Sequence, residues 1–166
     1  MVRRFFNGYL DRILTNKTVY ALLHVRSLMI HERNVIMDEK ITYRLNYRKA
    51  IEAIVWLSFE KPTIDIYHIA KVLYYAEKLH INKYAKPIIG DTYIRMTYGQ
   101  VPSGVRDLIT GNAWLDPGYL KILSNSVTIH KKPYVNLSAS RKPDLNCFSD
   151  TDIACLKWSL DKYGDV

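Results

Sequence analysis

Apolar residues recur at helical spacing along much of the chain. Between residues 47 and 59 they fall on one face of a predicted amphipathic helix, which the Lys61-Pro62 pair ends because proline breaks a helix interior. A second, more regular helix follows, with Thr63 or Asp65 as its cap. The first face consists of Tyr47, Ile51, Ile54, Val55 and Ser58, with Arg44, Arg48, Lys49 and Glu52 off it, and the second of Ile66, Ile69, Ala70, Leu73, Ala76, Glu77 and His80.

Residues 92–98 break the helical periodicity. They alternate between two faces and are rich in β-forming residues, which predicts one short strand that Gly99 closes. A helix is then predicted to start at residues 101–103, since proline is tolerated in a first turn, and to end at Gly111. Residues 112–118 are predicted to form a turn.

The C-terminal part combines a hairpin with a well-marked helix. Residues 126–130 and 134–137 are β-like runs on either side of a turn, which predicts a short hairpin. Ser149, with Asp152 three positions later, is typical of a helix N-terminus, and Gly164 stands where a C-terminal glycine is favoured. The patterns together predict a mainly α (α+β) domain: a compact helical domain with a small antiparallel sheet of two or three short strands.

Domain organisation is predicted from the same patterns. Residues 1–36 are less regular and are interpreted as an N-terminal extension with a helix over residues 18–30. Residues 37–166 are interpreted as the compact domain.

The composition is that of a folded protein whose charge is distributed unevenly along the chain. Of 166 residues, 48% are hydrophobic and 24% charged, which is the balance of a globular chain. The net charge of +8 permits an anionic partner. Residues 1–50 hold ten Lys and Arg against four acids, whereas residues 51–166 hold fourteen against twelve, so the basic excess lies in the N-terminal third.

Two cysteines and the absence of an export signal predict a reducing, cytoplasmic location. Cys147 and Cys155 would need two further ligands to hold zinc and are interpreted as ordinary thiols. No phosphate-binding glycine loop is present, and no cofactor is predicted. No segment approaches a membrane span, so no membrane partner is expected.

Catalytic chemistry has weak support. His68 and His80 lie on the second helix and Asp91 follows, so an acid–base pair for a hydrolase is conceivable. The simpler interpretation places His68 off the apolar face and His80 in the last helical turn, where its charge suits the helix dipole. The chain is therefore expected not to be an enzyme.

A mixed basic and aromatic surface marks the second helix. Lys71, Tyr74, Tyr75 and Lys78 suit RNA or DNA through stacking and phosphate contacts, and they equally suit a protein, because tyrosine brings contact area at a small entropic cost. The net charge of +2 over residues 51–166 favours protein. A nucleic-acid-binding regulator that uses residues 1–50 remains the alternative.

Two segments in this region resemble a known family. They are residues 68–78, with the sequence HIAKVLYYAEK, and residues 86–103, with the sequence KPIIGDTYIRMTYGQVPS. Residues 141–149 and 162–164 add a resemblance in the tail. In order and spacing these segments resemble the Panacea domain, also called the SocA-like antitoxin domain, over residues 47–164.

The resemblance implies an antitoxin of a bacterial or phage toxin–antitoxin pair. Members of the family bind very different toxins directly, and at least one acts as an adaptor that delivers its toxin to a protease. The expected partner is therefore a cognate protein toxin, with a cytosolic protease as a further expected partner. The residues expected to contact the partner are Lys71, Tyr74, Tyr75, Lys78, Asp91, Tyr93, Met96, Tyr98, Gly99, Gln100, Val101, Pro102 and Ser103.

Two departures from the family pattern stand out. Gln100 occupies a position where proline is usual, which is expected to loosen the turn after Gly99. The sequence ends at Val166, where members often continue with a further helix, which leaves open whether the domain lacks a C-terminal helix.

Overall fold

The structure, a computed structural model, describes residues 42–97 and 99–165. The described part holds five α-helices and two small antiparallel sheets, which confirms the predicted fold class. In chain order the elements are α1 (Tyr47–Glu60), β1 (Ile64–Asp65), α2 (Ile66–Tyr84), β2 (Tyr93–Met96), β3 (Gly99–Pro102), α3 (Ser103–Thr110), α4 (Pro117–Ser126), β4 (Val127–His130), β5 (Asn136–Ala139), a short 3-10 helix (Leu145–Cys147) and α5 (Asp150–Tyr163).

Helix α1 forms the centre of the core. Every residue from Ala50 to Ser58 is buried, so the predicted one-sided amphipathic helix is wrong for this stretch. Glu52, placed off the apolar face by the sequence pattern, is buried and accepts hydrogen bonds from the Arg141 guanidinium and from the backbone amide of Asp144. Burying a carboxylate costs free energy unless hydrogen-bond donors satisfy it. These donors allow Glu52 to be charged on a helix stretch that is buried on all sides.

Asp65, one of the two caps predicted, is the N-cap of helix α2. The Asp65 carboxylate accepts the amide of His68 at 2.8 Å, and Ala85, the C-cap residue, lies in the left-handed region with φ of 54°. Helix α5 packs along α2, where the Ser159 hydroxyl donates to the carbonyl of Val72 at 2.7 Å. The predicted capping box of α5 is present, with Ser149 and Asp152 exchanging hydrogen bonds.

The region after α2 differs from its prediction. A hairpin of β2 and β3 replaces the single predicted strand over residues 92–98, and α3 begins at Ser103 because residues 101–102 belong to β3. Gly99 makes the reversal possible, since its φ of 131° lies in a region that side chains disfavour. Gln100 lies within β3, paired with Arg95, so it does not occupy the turn.

The second sheet contains three strands in the order β1, β5, β4. The predicted hairpin is confirmed, although β5 covers Asn136–Ala139, two residues later than expected. Helix α4 begins at Pro117, inside the stretch predicted to be a turn, with the Asp116 side chain accepting the amide of Gly118. Its single buried apolar residue, Leu123, leaves little helical periodicity to detect.

No helix among residues 42–97 and 99–165 is both long enough and apolar enough to cross a membrane. The predicted extension over residues 1–36, its helix over residues 18–30 and the predicted boundary at residue 37 lie outside the described residues.

Candidate functional site

A buried carboxylate on α2 fixes the loop that leads to the hairpin. The Glu77 side chain accepts the backbone amides of Ile88, Ile89 and Gly90 at 2.9, 3.1 and 2.8 Å, respectively. Burial raises the pKa of Glu77 above its ordinary value, and the three amides and the nearby His80 oppose that shift without cancelling it. One helical side chain thereby holds three consecutive amides of the loop against α2.

A second carboxylate joins the hairpin to α3. The Asp91 side chain accepts the amides of Gly104 and Val105 at 3.0 and 2.9 Å, two of the donors that a helix N-terminus leaves unpaired. It also accepts the amide of Thr92 at 2.6 Å. Hence Asp91 positions β2 relative to the start of α3, and Pro102, which precedes that helix, is buried.

These anchors leave a groove between the side of α2 and the β2–β3 hairpin. Its volume is about 520 Å³, and α3 contributes Arg106 to one wall. The α2 wall consists of Ile66, Tyr67, Ala70, Lys71, Tyr74 and Tyr75, and the hairpin wall consists of Met96, Thr97, Gly99, Gln100 and Val101. Most of these residues present apolar or aromatic surface, which is typical of a binding site.

Aromatic rings connect the groove to the neighbouring helices. Tyr74 lies between the edge-on rings of Tyr93 and Tyr75, with centroid separations of 5.5 and 5.1 Å. Tyr75 stacks on Tyr163 of α5 at 3.9 Å, and Trp158 meets Tyr163 edge-on at 6.0 Å. Offset and edge-on pairs of this kind add stability beyond area burial, so the α2 wall is held rigid.

Tyr93 supports the wall from behind. Its hydroxyl is buried and has no hydrogen-bond partner among the described residues. Burial raises the pKa of Tyr93 well above its ordinary value, and the neighbouring charges of Glu77 and Asp91 add to the shift. The phenol therefore stays neutral and serves as packing against Tyr74.

Two cationic side chains, Lys71 and Arg106, line the groove, and no carboxylate of residues 42–97 or 99–165 does. The Arg106 guanidinium lies 4.0 Å from the carboxylate of its neighbour Asp107. The Lys71 ammonium lies 5.8 Å from the Tyr67 ring centre and 5.9 Å from that of Tyr163, within cation–π range. The groove therefore combines aromatic surface with two cationic side chains.

The structure places seven of the thirteen predicted contact residues in this groove. They are Lys71, Tyr74, Tyr75, Met96, Gly99, Gln100 and Val101. Lys78 is exposed on α2 beyond the groove, with its ammonium 6.0 Å from the Tyr74 ring centre. Asp91, Tyr93, Pro102 and Ser103 lie behind or beside the groove, and Tyr98 is outside the described residues.

Five lining residues were missed from the sequence. They are Ile66, Tyr67, Ala70, Thr97 and Arg106. Tyr67, Ala70, Lys71 and Tyr74 follow helical i, i+3, i+4, i+7 spacing, a signal that was available for a second face of α2. Arg106 comes from α3, and only the tertiary structure brings it to α2.

His68 and His80, the two histidines considered for acid–base chemistry, each have hydrogen-bond partners within the fold. His80 is buried, with Nδ1 donating to the carbonyl of Lys86 at 2.7 Å and Nε2 3.0 Å from the Thr151 hydroxyl. The helix continues four residues beyond His80, so His80 lies just before the last helical turn and not within it as predicted. His68 is half-buried off the apolar face, as expected, and its Nδ1 lies 2.8 Å from the Asp65 carboxylate.

Metal-binding and thiol chemistry find no support in the described residues. Across residues 42–97 and 99–165, no three side chains of His, Cys, Asp or Glu type gather where they could hold a metal. Burial raises the pKa of both Cys147 and Cys155, and Asp144 beside Cys147 adds to the shift there. Both sulfurs thus favour the thiol form.

The fold is a small α+β domain, and the groove gives this domain a surface suited to binding a partner. The family described as antitoxin SocA-like, Panacea domain, matches residues 69–166, which is more than half of the chain. The chain therefore belongs to this family. The match includes most of α2 and the whole hairpin, whereas α1 lies before it. No curated protein and no solved structure matches the chain.

Proposed function

We propose that this chain is an antitoxin that neutralises a cognate protein toxin by direct contact, and that the groove between α2 and the hairpin is the contact surface. The groove itself carries the proposal, because it is a concave and largely aromatic or apolar surface whose lining, apart from Ile66 and Tyr67, lies within the family-matched residues 69–166. The toxin is expected to be encoded beside the antitoxin.

The exposed side chains around the groove support protein contact. Tyr67 is 47% exposed and Met96 44% exposed, so both have surface to lose when a partner binds. Tyrosine is enriched among the residues that dominate binding energies, and methionine adapts to different partners. A volume of about 520 Å³ accommodates a few anchoring side chains of the toxin. The rest of a standard interface, about 800 Å² on each partner, would surround them.

The charge of the groove indicates the complementary surface. Lys71 and Arg106 favour a toxin surface that carries carboxylates around an apolar anchor. Such complementarity acts mainly on the association rate, which is expected to fall as salt rises. Neutralisation would proceed by occlusion, which requires no catalysis by the antitoxin.

Co-expression tests the proposal. The neighbouring gene product, expressed alone, should arrest growth, and co-expression of the full chain should restore it while the toxin level stays constant. A falling toxin level would instead indicate delivery to a protease. Persistent toxicity, or a neighbour without toxicity, would refute the antitoxin function, and salt-sensitive DNA binding would then favour the regulator.

A matched pair of tyrosine substitutions tests the groove. Tyr67→Ala should weaken neutralisation, so that growth is restored only at higher antitoxin expression. Tyr134→Ala removes the same side chain from the loop between β4 and β5, where Tyr134 is 77% exposed and outside the groove. Equal neutralisation by the two variants would place the contact elsewhere.

A further inference from the structure

The outer edge of β2 is unpaired within the described part of the chain. Among residues 42–97 and 99–165, the sheet it belongs to consists of β2 and β3, and β3 packs against α2. Ile94, Arg95 and Met96 are all exposed. An open edge of this kind is a template for another strand, and native proteins usually cover or charge it.

The register shows which backbone groups face outward. Met96 pairs with Gly99 and Ile94 with Val101, while the Ser103 amide donates to the Thr92 carbonyl at 2.9 Å. In an antiparallel ladder, hydrogen-bonded and non-hydrogen-bonded pairs alternate. The two-residue turn makes Met96 and Gly99 a hydrogen-bonded pair, so Arg95 and Tyr93 occupy the non-hydrogen-bonded positions.

Consequently, the amides and carbonyls of Tyr93 and Arg95 point away from β3. No hydrogen bond joins either amide to another described residue. Pro102, which has no amide hydrogen, lies opposite Tyr93, where the ladder requires no donor from it. Four backbone groups on the outer edge thus have no partner among the described residues and suit an incoming strand.

The side chains of β2 also suit a partner. Ile94 is 39% exposed and Met96 44% exposed, two apolar residues on a four-residue strand with no proline. Met96 also lines the groove, so the edge and the groove form one continuous surface. By contrast, the apolar residues of β1 and β4, the two outer strands of the other sheet, are buried or half-buried.

We infer that an extended segment of the toxin adds to the hairpin as a third strand along β2 and places its anchoring side chains in the groove. The inference rests on the proposed antitoxin function and specifies how the contact is made. Main-chain hydrogen bonds to Tyr93 and Arg95 supply affinity that depends little on sequence, and the groove selects side chains. Arg95, Lys71 and Arg106 favour carboxylates in that segment.

Two substitutions at one position separate the backbone from the side chain. Arg95→Ala removes the guanidinium and retains the outward amide, whereas Arg95→Pro removes the amide as well. Proline is tolerated on an edge strand where its nitrogen faces outward, so the β2–β3 ladder is expected to survive. The probe is the neighbouring toxin, titrated against the full chain, with thermal unfolding as the check on folding.

Arg95→Pro should weaken toxin binding by about thirtyfold or more, and Arg95→Ala by about threefold, because the proline also obstructs the incoming strand. Equal affinities for the two variants would overturn the inference while leaving the antitoxin function intact. A wild-type chain that fails to bind or neutralise the toxin would refute both.

Amide hydrogen exchange on the wild-type chain tests strand addition along β2 even if Arg95→Pro does not fold. In the complex, exchange at the Tyr93 and Arg95 amides should slow by about tenfold or more relative to the unbound chain. Unchanged exchange at both amides would overturn the inference. Dimerisation of the unbound chain with the same protection would also overturn it, since a second copy would then be the strand that covers β2.

Discussion

Replacing Glu77 with Gln tests whether one carboxylate fixes the loop before the hairpin. The substitution keeps the size of the side chain and removes its charge. A glutamine offers a single carbonyl oxygen, so it accepts at most the amides of Ile88 and Ile89, and its own amide group then faces the amide of Gly90 at hydrogen-bond distance. Two donors face each other where the wild-type chain has a hydrogen bond.

The expected loss of stability follows from those three contacts. Hydrogen bonds to a charged group contribute about 2 kcal/mol each and neutral ones about 1 kcal/mol, so two weakened bonds and one lost bond cost about 4 kcal/mol. Because burial raises the pKa of Glu77, part of this loss is offset by no longer burying a charge. We expect Glu77→Gln to lower the free energy of unfolding by about 3 kcal/mol.

Urea unfolding followed by circular dichroism measures the change, with Glu60→Gln as the control at an exposed position on α1. The control should stay within about 0.5 kcal/mol of the wild type. Glu77→Gln should also weaken toxin binding, because the loop that it frees sets the position of the hairpin. A stability within about 0.5 kcal/mol of the wild type would refute the assigned role of Glu77.

Three further substitutions test the packing of the domain. Asp152→Asn should reduce the loss of stability that the wild type shows at acid pH. Burial raises the pKa of Asp152, but hydrogen bonds from Lys49 and Ser149 outweigh that effect and bring the pKa below its ordinary value of 3.8. The ionised carboxylate therefore stabilises the fold above about pH 4, and this stabilisation is lost as the pH falls through the folded pKa. Urea unfolding across that range checks this, and an unchanged profile would contradict it. Arg141→Met leaves the buried Glu52 carboxylate without its cationic partner and should lower the free energy of unfolding in urea by about 2 kcal/mol. The value is modest because the Arg141 side chain is 36% exposed. A loss near zero would show that the pair does not stabilise the fold. Leu156→Ala on α5, where the side chain is fully buried, should cost about 3 kcal/mol and lower the thermal midpoint, while a loss below about 1 kcal/mol would argue against α5 as a core helix.

Local signals in the sequence account for the elements that were predicted well. Asp65 and Ser149 each cap their own helix through a side chain three residues from the amide that it accepts, so sequence spacing alone contains the information. The hairpin of β4 and β5 likewise follows from β-forming runs on both sides of a short turn.

The elements that were missed depend on contacts distant in sequence. Residues 99–102 read as a turn and helix start, and they become β3 because β2 lies opposite and α2 packs behind them. Glu52 became buried because Arg141, 89 residues later, pairs with it. Because these contacts join residues far apart in sequence, local periodicity gave the wrong prediction for residues 99–102 and for Glu52.

The candidate site shows the same division. The basic and aromatic side of α2 was predicted from Lys71, Tyr74 and Tyr75, whose spacing is local. The opposite wall was predicted only through the family resemblance, and Arg106 was missed because α3 contributes it through the tertiary fold. The anchoring role of Glu77 depends on a loop 11 to 13 residues away, which no helical pattern encodes.

The affinity of the full chain for the neighbouring toxin, measured by calorimetric titration, tests the central claim most directly. Met96→Glu places a carboxylate in the groove, and Ile122→Glu places one on α4 outside the groove. The two positions match in exposure, since Met96 is 44% exposed and Ile122 is 46% exposed. Wild-type binding should be tight, and Met96→Glu should weaken it by about a hundredfold while Ile122→Glu leaves it within about twofold. Equal affinities for both variants, or no wild-type binding, would contradict toxin contact at the groove.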